Sequence, residues 1–582
     1  MQPLIRLGIH ALHALLALLP VALNAAPVQT GTGPSGALSA PKAILSEQTV
    51  DLRKLIASEL AAGRKKVVVP PGRYRVAAEA GGHLSFSNLQ DVEIVAYNVE
   101  MVCTATVQAL GFYQCTNVQL RGLTVDYDPL PFTQGRIVAL GTDKSSVEFE
   151  LFAGYPEDGL VERIEIFNPT TRELRRASYY GWGAFERTGP RRYRISKGAN
   201  YRYRPELDTE QVGDFLVTNH QSQIRGGGHA VVLTSCTKVT LADVKLYASP
   251  AFGFIEHGCS ASTYLRCTVA RRDSADDPVK RGEPRLRSTN ADAFHSKSAF
   301  KGPAIIDCVA HFQGDDCVNI NGRYYYVLGT HRNALRIAAT EKLEIATGDQ
   351  VEFLPYSGPR PANAVAVDIK PITAGFSQSE TALIKTLPMV ERVRARLLGR
   401  STQFYELTLN REVNLPEGSA VCSALRVGDG FVVHGCDFGD NRSRGILIKA
   451  SSGEISGNHI ANSRMAAVLI SPEFNWLEAG CSSNVTVRDN VIIGIGQTPI
   501  RILAPGGNGR ALPAGAHRNI AVLDNHIVDC PWPLVEVTST SGLTITGNVW
   551  AAEPPLGTEE SNRHDRDSPI SIVNCDSVKS NP

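Results

Sequence analysis

Residues 288–322 read STNADAFHSKSAFKGPAIIDCVAHFQGDDCVNING. The stretch carries three prominent carboxylates, Asp292, Asp315 and Asp316. The first and last are 24 residues apart, about one coil of a solenoid whose repeats span ~20–50 residues. If the chain coils with this period, Asp292 and Asp316 fall on neighbouring rungs, about 4.8 Å apart across the backbone. Adjacent residues of a strand face opposite ways, so Asp315 and Asp316 share a face only where a bulge or strand-end turn, at Gly314, interrupts the strand.

Outward from that stretch a repeat recurs: an apolar residue, two others, then Asn, Cys or a small residue, one more, and an apolar residue. It appears as Val433-Cys436-Phe438, Ile455-Asn458-Ile460, Val487-Asn490-Ile492, Val522-Asn525-Ile527 and Ile545-Asn548-Trp550. Looser copies are Leu120–Val125, Leu241–Leu246, Leu265–Val269 and Ile305–Val309. The intervals between the four asparagines are 32, 35 and 23, so loops of unequal length leave the coils at one side. An Asn at a fixed turn stacks on the Asn of the next coil and tolerates unusual backbone angles. The pattern predicts an all-β right-handed parallel β-helix, parallel crossovers being overwhelmingly right-handed.

Two segments break the rhythm. Residues 133–212 (SSVEFELFAG, RRYRIS) and 326–425 (LRIAAT, DQVEFL, FYELTLN) alternate as antiparallel strands do. Each is expected to form a small inserted antiparallel β-barrel domain. The β-helix is then expected over 46–132, over 213–325 with the catalytic coils, and over 426–575. Leu52–Ala62 has apolar residues at helical spacing and ends at Gly63, which suits a helix capping the exposed apolar end of a coil stack.

The first 26 residues read as a secretory signal, with Arg6, an Ala/Leu-rich core and Asn24-Ala25-Ala26. A Gly/Pro/Ser/Thr-rich leader follows over 27–45. No later run is apolar enough for a membrane span, so a secreted or periplasmic location is expected. The net charge of +1 gives no pull toward nucleic acid. The 12 cysteines show no CxxC or Cys/His spacing for zinc, and Cys267, Cys308 and Cys436 occupy equivalent repeat positions, as small apolar residues do. No metal and no cofactor is expected.

Three acids in one patch suit glycoside hydrolysis, which needs one protonated carboxyl and one carboxylate. Crowding like charges raises at least one of their pKa values. His295 lies three residues after Asp292, and Asn319 and Asn321 follow the Asp pair on one face. These, with Arg444 and Lys449 of RSRGILIKA and Trp476 and Glu478 of SPEFNWLEAG, are the candidate substrate-binding residues for an oligo- or polysaccharide.

These segments resemble glycoside hydrolase family 110, the inverting α-1,3-galactosidases with a β-helix and inserted barrels. The likeness is carried by VDYDPLPFTQGRI (125–137), NADAFHS, GDDCVNING, RGILIKA, AAVLISPEFNWLEAG and HRNIAVLDNHI, and covers most of residues 65–550. It implies Asp315 as general acid, with Asp292 and Asp316 holding and deprotonating the water. An inverting acid–base pair stands about 6.5–9.5 Å apart, a retaining pair about 5–5.5 Å. The chain departs from the family in having Asn321-Gly322 where His-Gly is usual, and in the long charged segment 273–287. A more distant likeness runs to family 28 polygalacturonases, through NAD and GDD but without a recognisable Gly-His-Gly. Alternatives on the same fold are a polygalacturonase-like hydrolase, a Ca²⁺-dependent polysaccharide lyase using Asp315, Asp316 and Lys449, and a non-catalytic glycan-binding solenoid.

Overall fold

The computed structural model describes residues 45–176, 182–198, 208–220, 228–550 and 568–581. The signal and most of the leader expected at the N-terminus lie outside these residues. No helix among them is long and apolar enough to cross a membrane.

The chain is a right-handed parallel β-helix built from a 21-stranded and a 12-stranded sheet. The sequence alternation explains the second sheet. Phe254, Phe294, Val318 and Ile446 point into one continuous core, and Phe254 stacks on Phe294 at 5.0 Å. The residues between them, Ile255, His295, Asn319 and Leu447, occupy one register line and face outward, as the two-residue period requires. Phe294 pairs with Val318, so the one-coil interval read around the acids is realised.

The Asn repeat is a ladder. Asn458 donates from its backbone and side-chain amides to Oδ1 of Asn490, at 3.0 and 2.9 Å. Asn490 repeats this on Asn525, and Asn525 on Asn548. Cys436 N donates to Asn458 Oδ1 at 2.9 Å, so the Cys and Asn rungs form one column. The unusual backbone angle falls one residue earlier than expected: Arg266, Asp307, Gly435, Gly457, Asp489, Asp524 and Gly547 take φ between 50° and 69°. Gly and Asp dominate those positions because they enter the left-handed region at least cost. The Asn itself supplies hydrogen bonds to a corner whose own amides have no strand partner. All 12 cysteines are free.

Leu52–Ala61 is a helix, N-capped by Asp51, with Leu52 and Ile56 buried in the core. Strands from Phe132–Leu140 to Phe215–His220 form a seven-stranded antiparallel sheet. Its last strand lies past the boundary expected at 212, because Phe215 pairs with both Arg136 and Phe167. Strands from Tyr325–His331 to Ala420–Ser423 close into a barrel. The coils run beyond 575: Asp576–Asn581 pairs in parallel with Thr540–Thr546.

Candidate active site

The acids sit where coils turn into the 12-stranded sheet. Asp292 precedes the strand Phe294–Lys297, and Asp315 and Asp316 precede Val318–Arg323. Asp315 and Asp316 are in a bend rather than a strand, which frees both to face one way. Gly314 is needed there for close approach: a Cβ would stand 2.6 Å from the Asn290 carbonyl. Ala293 N donates to the Asp316 carbonyl at 3.0 Å, locking the two rungs together.

One oxygen from each of Asp292, Asp315 and Asp316 lies within 4.8 Å of the others. This is closer than the gap expected between acid and base for inversion, because two of the three charges are balanced by guanidinium groups. Arg442 donates to Asp315 Oδ2 at 2.6 Å. Arg444 donates its backbone N–H to Asp316 Oδ1 and a guanidinium N–H to Oδ2, both at 2.9 Å. Asp292 and Asp316 side chains are 5% and 2% exposed, Asp315 29%. Burial, then the charges of Asp316 and Glu478, push the Asp292 carboxyl well above its usual range, with Arg444 opposing. The three carboxylates present oxygens that a cation can use, but a dication would have to displace the arginines.

His295 Nδ1 meets Asp292 Oδ2 at 2.8 Å. Burial lowers its pKa to about 4, so near neutral pH the ring is uncharged. Phe252 stacks on His295 and on His229, at 4.5 and 4.8 Å, clamping the imidazole. Asn321 Nδ2 lies 3.2 Å from His295 Nε2 and donates to Asn319 Oδ1 at 3.0 Å. Lys449 Nζ donates to Asn319 Oδ1 and to Glu478 Oε2, at 3.2 and 2.9 Å. Burial favours a neutral Glu478, but Lys449 and His295 outweigh it and hold the carboxyl at about 2. The structure therefore joins Asp292, Asp315, Asp316, His295, Asn319, Asn321, Arg444, Lys449 and Glu478 in one polar network.

Trp476 stands apart from it. Its ring, in the short turn Phe474–Trp476, is covered by the Arg392 guanidinium at 4.4 Å. Leu477 then takes a left-handed conformation, φ 57°, a strained position for a branched residue. That bend brings Glu478 antiparallel to Arg323.

Several site residues escaped the sequence reading. Arg442 is two residues before Arg444 in the same segment, and Glu473 is five before Glu478; both were signalled by neighbours already chosen. Glu473 Oε2 is 3.1 Å from Lys449. Glu165 of the seven-stranded sheet is 3.6 Å from Arg442 and 2.6 Å from Arg287; no local signal marks it. Glu344 of the barrel segment reaches His257 at 2.7 Å.

A family profile described as the right-handed β-helix region matches residues 412–550. The chain is 21% identical over 523 residues to α-1,3-galactosidase B of Bacteroides thetaiotaomicron, covering 84% of this chain and 78% of that protein. It is 22% identical over 464 residues to α-1,3-galactosidase A of Shewanella woodyi, covering 75% and 69%. A solved family 28 exopolygalacturonase of Yersinia enterocolitica superposes with a TM-score of 0.38 at 9% identity, over 92% of this chain and 77% of that one, too low a likeness to bear on function. The chain is thus a right-handed parallel β-helix protein similar to α-1,3-galactosidases of two organisms.

Proposed function

We propose that this protein is an exported glycoside hydrolase that removes terminal α-galactose, α-1,3-linked, by an inverting, metal-independent carboxylate mechanism. One observation carries the reading: three carboxylates from two neighbouring rungs converge within 4.8 Å of one another. The similarity to α-1,3-galactosidases supports the sugar and the linkage. The Ala/Leu-rich first 26 residues support export.

Asp315 is the general acid. Its carboxyl is the most exposed of the three, and an arriving glycosidic oxygen meets it first. Its ion pair with Arg442 favours the charged form, so the acid role requires substrate to open that contact. Asp292 and Asp316 hold the water between neighbouring rungs, Arg444 fixing Asp316 and His295 fixing Asp292. Attack then comes from the face opposite the leaving group. Inversion uses a gap of about 6.5–9.5 Å, so on this reading Asp315 turns away from the other two carboxylates once substrate opens its contact with Arg442. One observation favours a second reading, with Asp292 as the acid: it is the carboxyl that burial and its neighbours push upward, as a general acid requires.

The test is an α-1,3-linked galactosyl disaccharide, with polygalacturonate as control, each with and without a chelator. Proton NMR reads the first-formed anomer. β-Galactose first, undiminished by chelator, is expected. α-Galactose first overturns inversion. An ultraviolet-absorbing unsaturated product lost with chelator identifies a lyase, and binding without turnover identifies a glycan-binding solenoid.

A further inference from the structure

The floor of the site contains a cation that the network above does not use. Lys297 ends the strand Phe294–Lys297, two residues beyond His295 and on the same outward face. On that face Arg442 and Arg444 hold Asp315 and Asp316, Lys449 holds Glu478, and Arg323 pairs with Glu341. Among the described residues, the Lys297 ammonium makes no hydrogen bond and no ion pair. Its register partner on the next rung is Asn321, which is fully buried and whose Oδ1 also has no hydrogen-bond partner. Burial, then Arg323, lowers the Lys297 pKa, with Glu341, Glu478 and Glu344 pulling the other way.

An unpaired donor and an unpaired acceptor on register partners of neighbouring rungs select the group that completes them. A hydroxyl accepts from an ammonium and donates to a carbonyl oxygen; a carboxylate or sulfate only accepts. Leaving the buried Asn321 oxygen unmade is costly. We infer that Lys297 and Asn321 together bind one hydroxyl of the neutral sugar that lies against the three carboxylates, making Lys297 a substrate-binding residue that reads that position of the ring. The inference rests on the hydrolase reading and deepens it: it places an uncharged sugar, not a uronate, next to the acids.

The experiment pairs changes in protein and substrate. Wild type, Lys297→Met, which keeps the aliphatic stem, and Lys297→Arg, which keeps a donor, are assayed for kcat/KM. The substrates are an aryl α-galactoside, its mono-deoxy analogues at each ring position, and the aryl α-galacturonide. Lys297→Met is expected to lose roughly 10- to 100-fold on the parent, the range for a hydrogen bond to a charged group. It should lose almost nothing on one deoxy analogue, which itself is a poor substrate of wild type, and Lys297→Arg should recover part of the parent activity. An equal loss on every analogue, or no loss on the parent, overturns the assignment. A loss confined to the galacturonide replaces the hydroxyl by a carboxylate and also overturns it. Should Lys297→Met not fold, as judged by circular dichroism, Lys297→Arg supports the same cycle, since its altered donor geometry shifts kcat/KM only where the hydroxyl is present. Wild type that cleaves no α-galactoside removes the hydrolase reading and this inference with it; wild type that cleaves them with additive effects removes this inference alone.

Discussion

Arg442 donates to Asp315 Oδ2 at 2.6 Å, although 127 residues and the closed barrel separate them in the chain. The pair ties the most exposed carboxylate to the coil after the barrel, and Glu165 ties Arg442 to the first inserted sheet. Residues in direct contact give non-additive mutational effects. Arg442→Met should lower kcat/KM on the α-1,3-linked disaccharide by roughly 10-fold or more, the order expected for a lost charged hydrogen bond. In an Asp315→Asn background the same change should cost far less. Equal costs in the two backgrounds would show that Arg442 does not act through Asp315.

The two candidate acids separate by leaving group. An activated aryl group leaves with little protonation, whereas a sugar alkoxide needs it. Asp315→Asn should therefore lose roughly 100-fold more on the α-1,3 disaccharide than on a nitrophenyl glycoside, the scale of general acid–base catalysis being about 10²–10⁴. Asp292→Asn should lose activity on both substrates alike. The reverse pattern moves the acid to Asp292.

Asn490 sits mid-ladder, fully buried, accepting from Asn458 and donating to Ile455 O and Asn525 Oδ1. Asn490→Ala leaves several buried amide groups unmade, each costing about 1–3 kcal/mol. Its thermal midpoint should fall well below that of Asn548→Ala, which removes the 9% exposed last rung. Equal midpoints would mean that the ladder decorates the corner without holding it.

His311 gives a pH signature away from the acids. Burial disfavours its charge, but hydrogen bonds to Asp437 and Asp440 outweigh this and raise its pKa to about 9. A folded-state pKa above the unfolded value of about 6.5 stabilises the fold fully below that value. The contribution is lost as pH rises through about 9. With Asp437 half-exposed, solvent screening leaves a contribution on the order of 1–2 kcal/mol. Melting curves of wild type and His311→Gln should differ most near pH 6 and converge above about pH 9.5. A constant difference across that range excludes the linkage.

What the sequence disclosed follows from what is periodic. The Asn column recurs along the chain and the Asp292–Asp316 interval matches one coil, and both map onto rungs paired in the structure. The two inserts announce themselves by breaking that period, but their edges do not. Phe215–His220 alternates like a coil strand, and only its pairing with Arg136 and Phe167 assigns it elsewhere. Site partners held by charge alone were the least legible: Glu165 reaches Arg442 from the first inserted sheet, and nothing near it in sequence marks an arginine partner. Trp476 is a candidate substrate-binding residue by its place beside Glu478 in SPEFNWLEAG, and the structure places Arg392 over its ring.

The order of synthesis gives the inserted barrel a further consequence. Asp315 and Asp316 leave the ribosome long before Arg442 and Arg444, with the whole segment from Tyr325–His331 to Ala420–Ser423 in between. Until those arginines emerge, three crowded carboxylates lack their counterions, and their repulsion opposes closure of the very coils that carry them. The counterions of Asp315 and Asp316 therefore join them only when the coils after the barrel are in place.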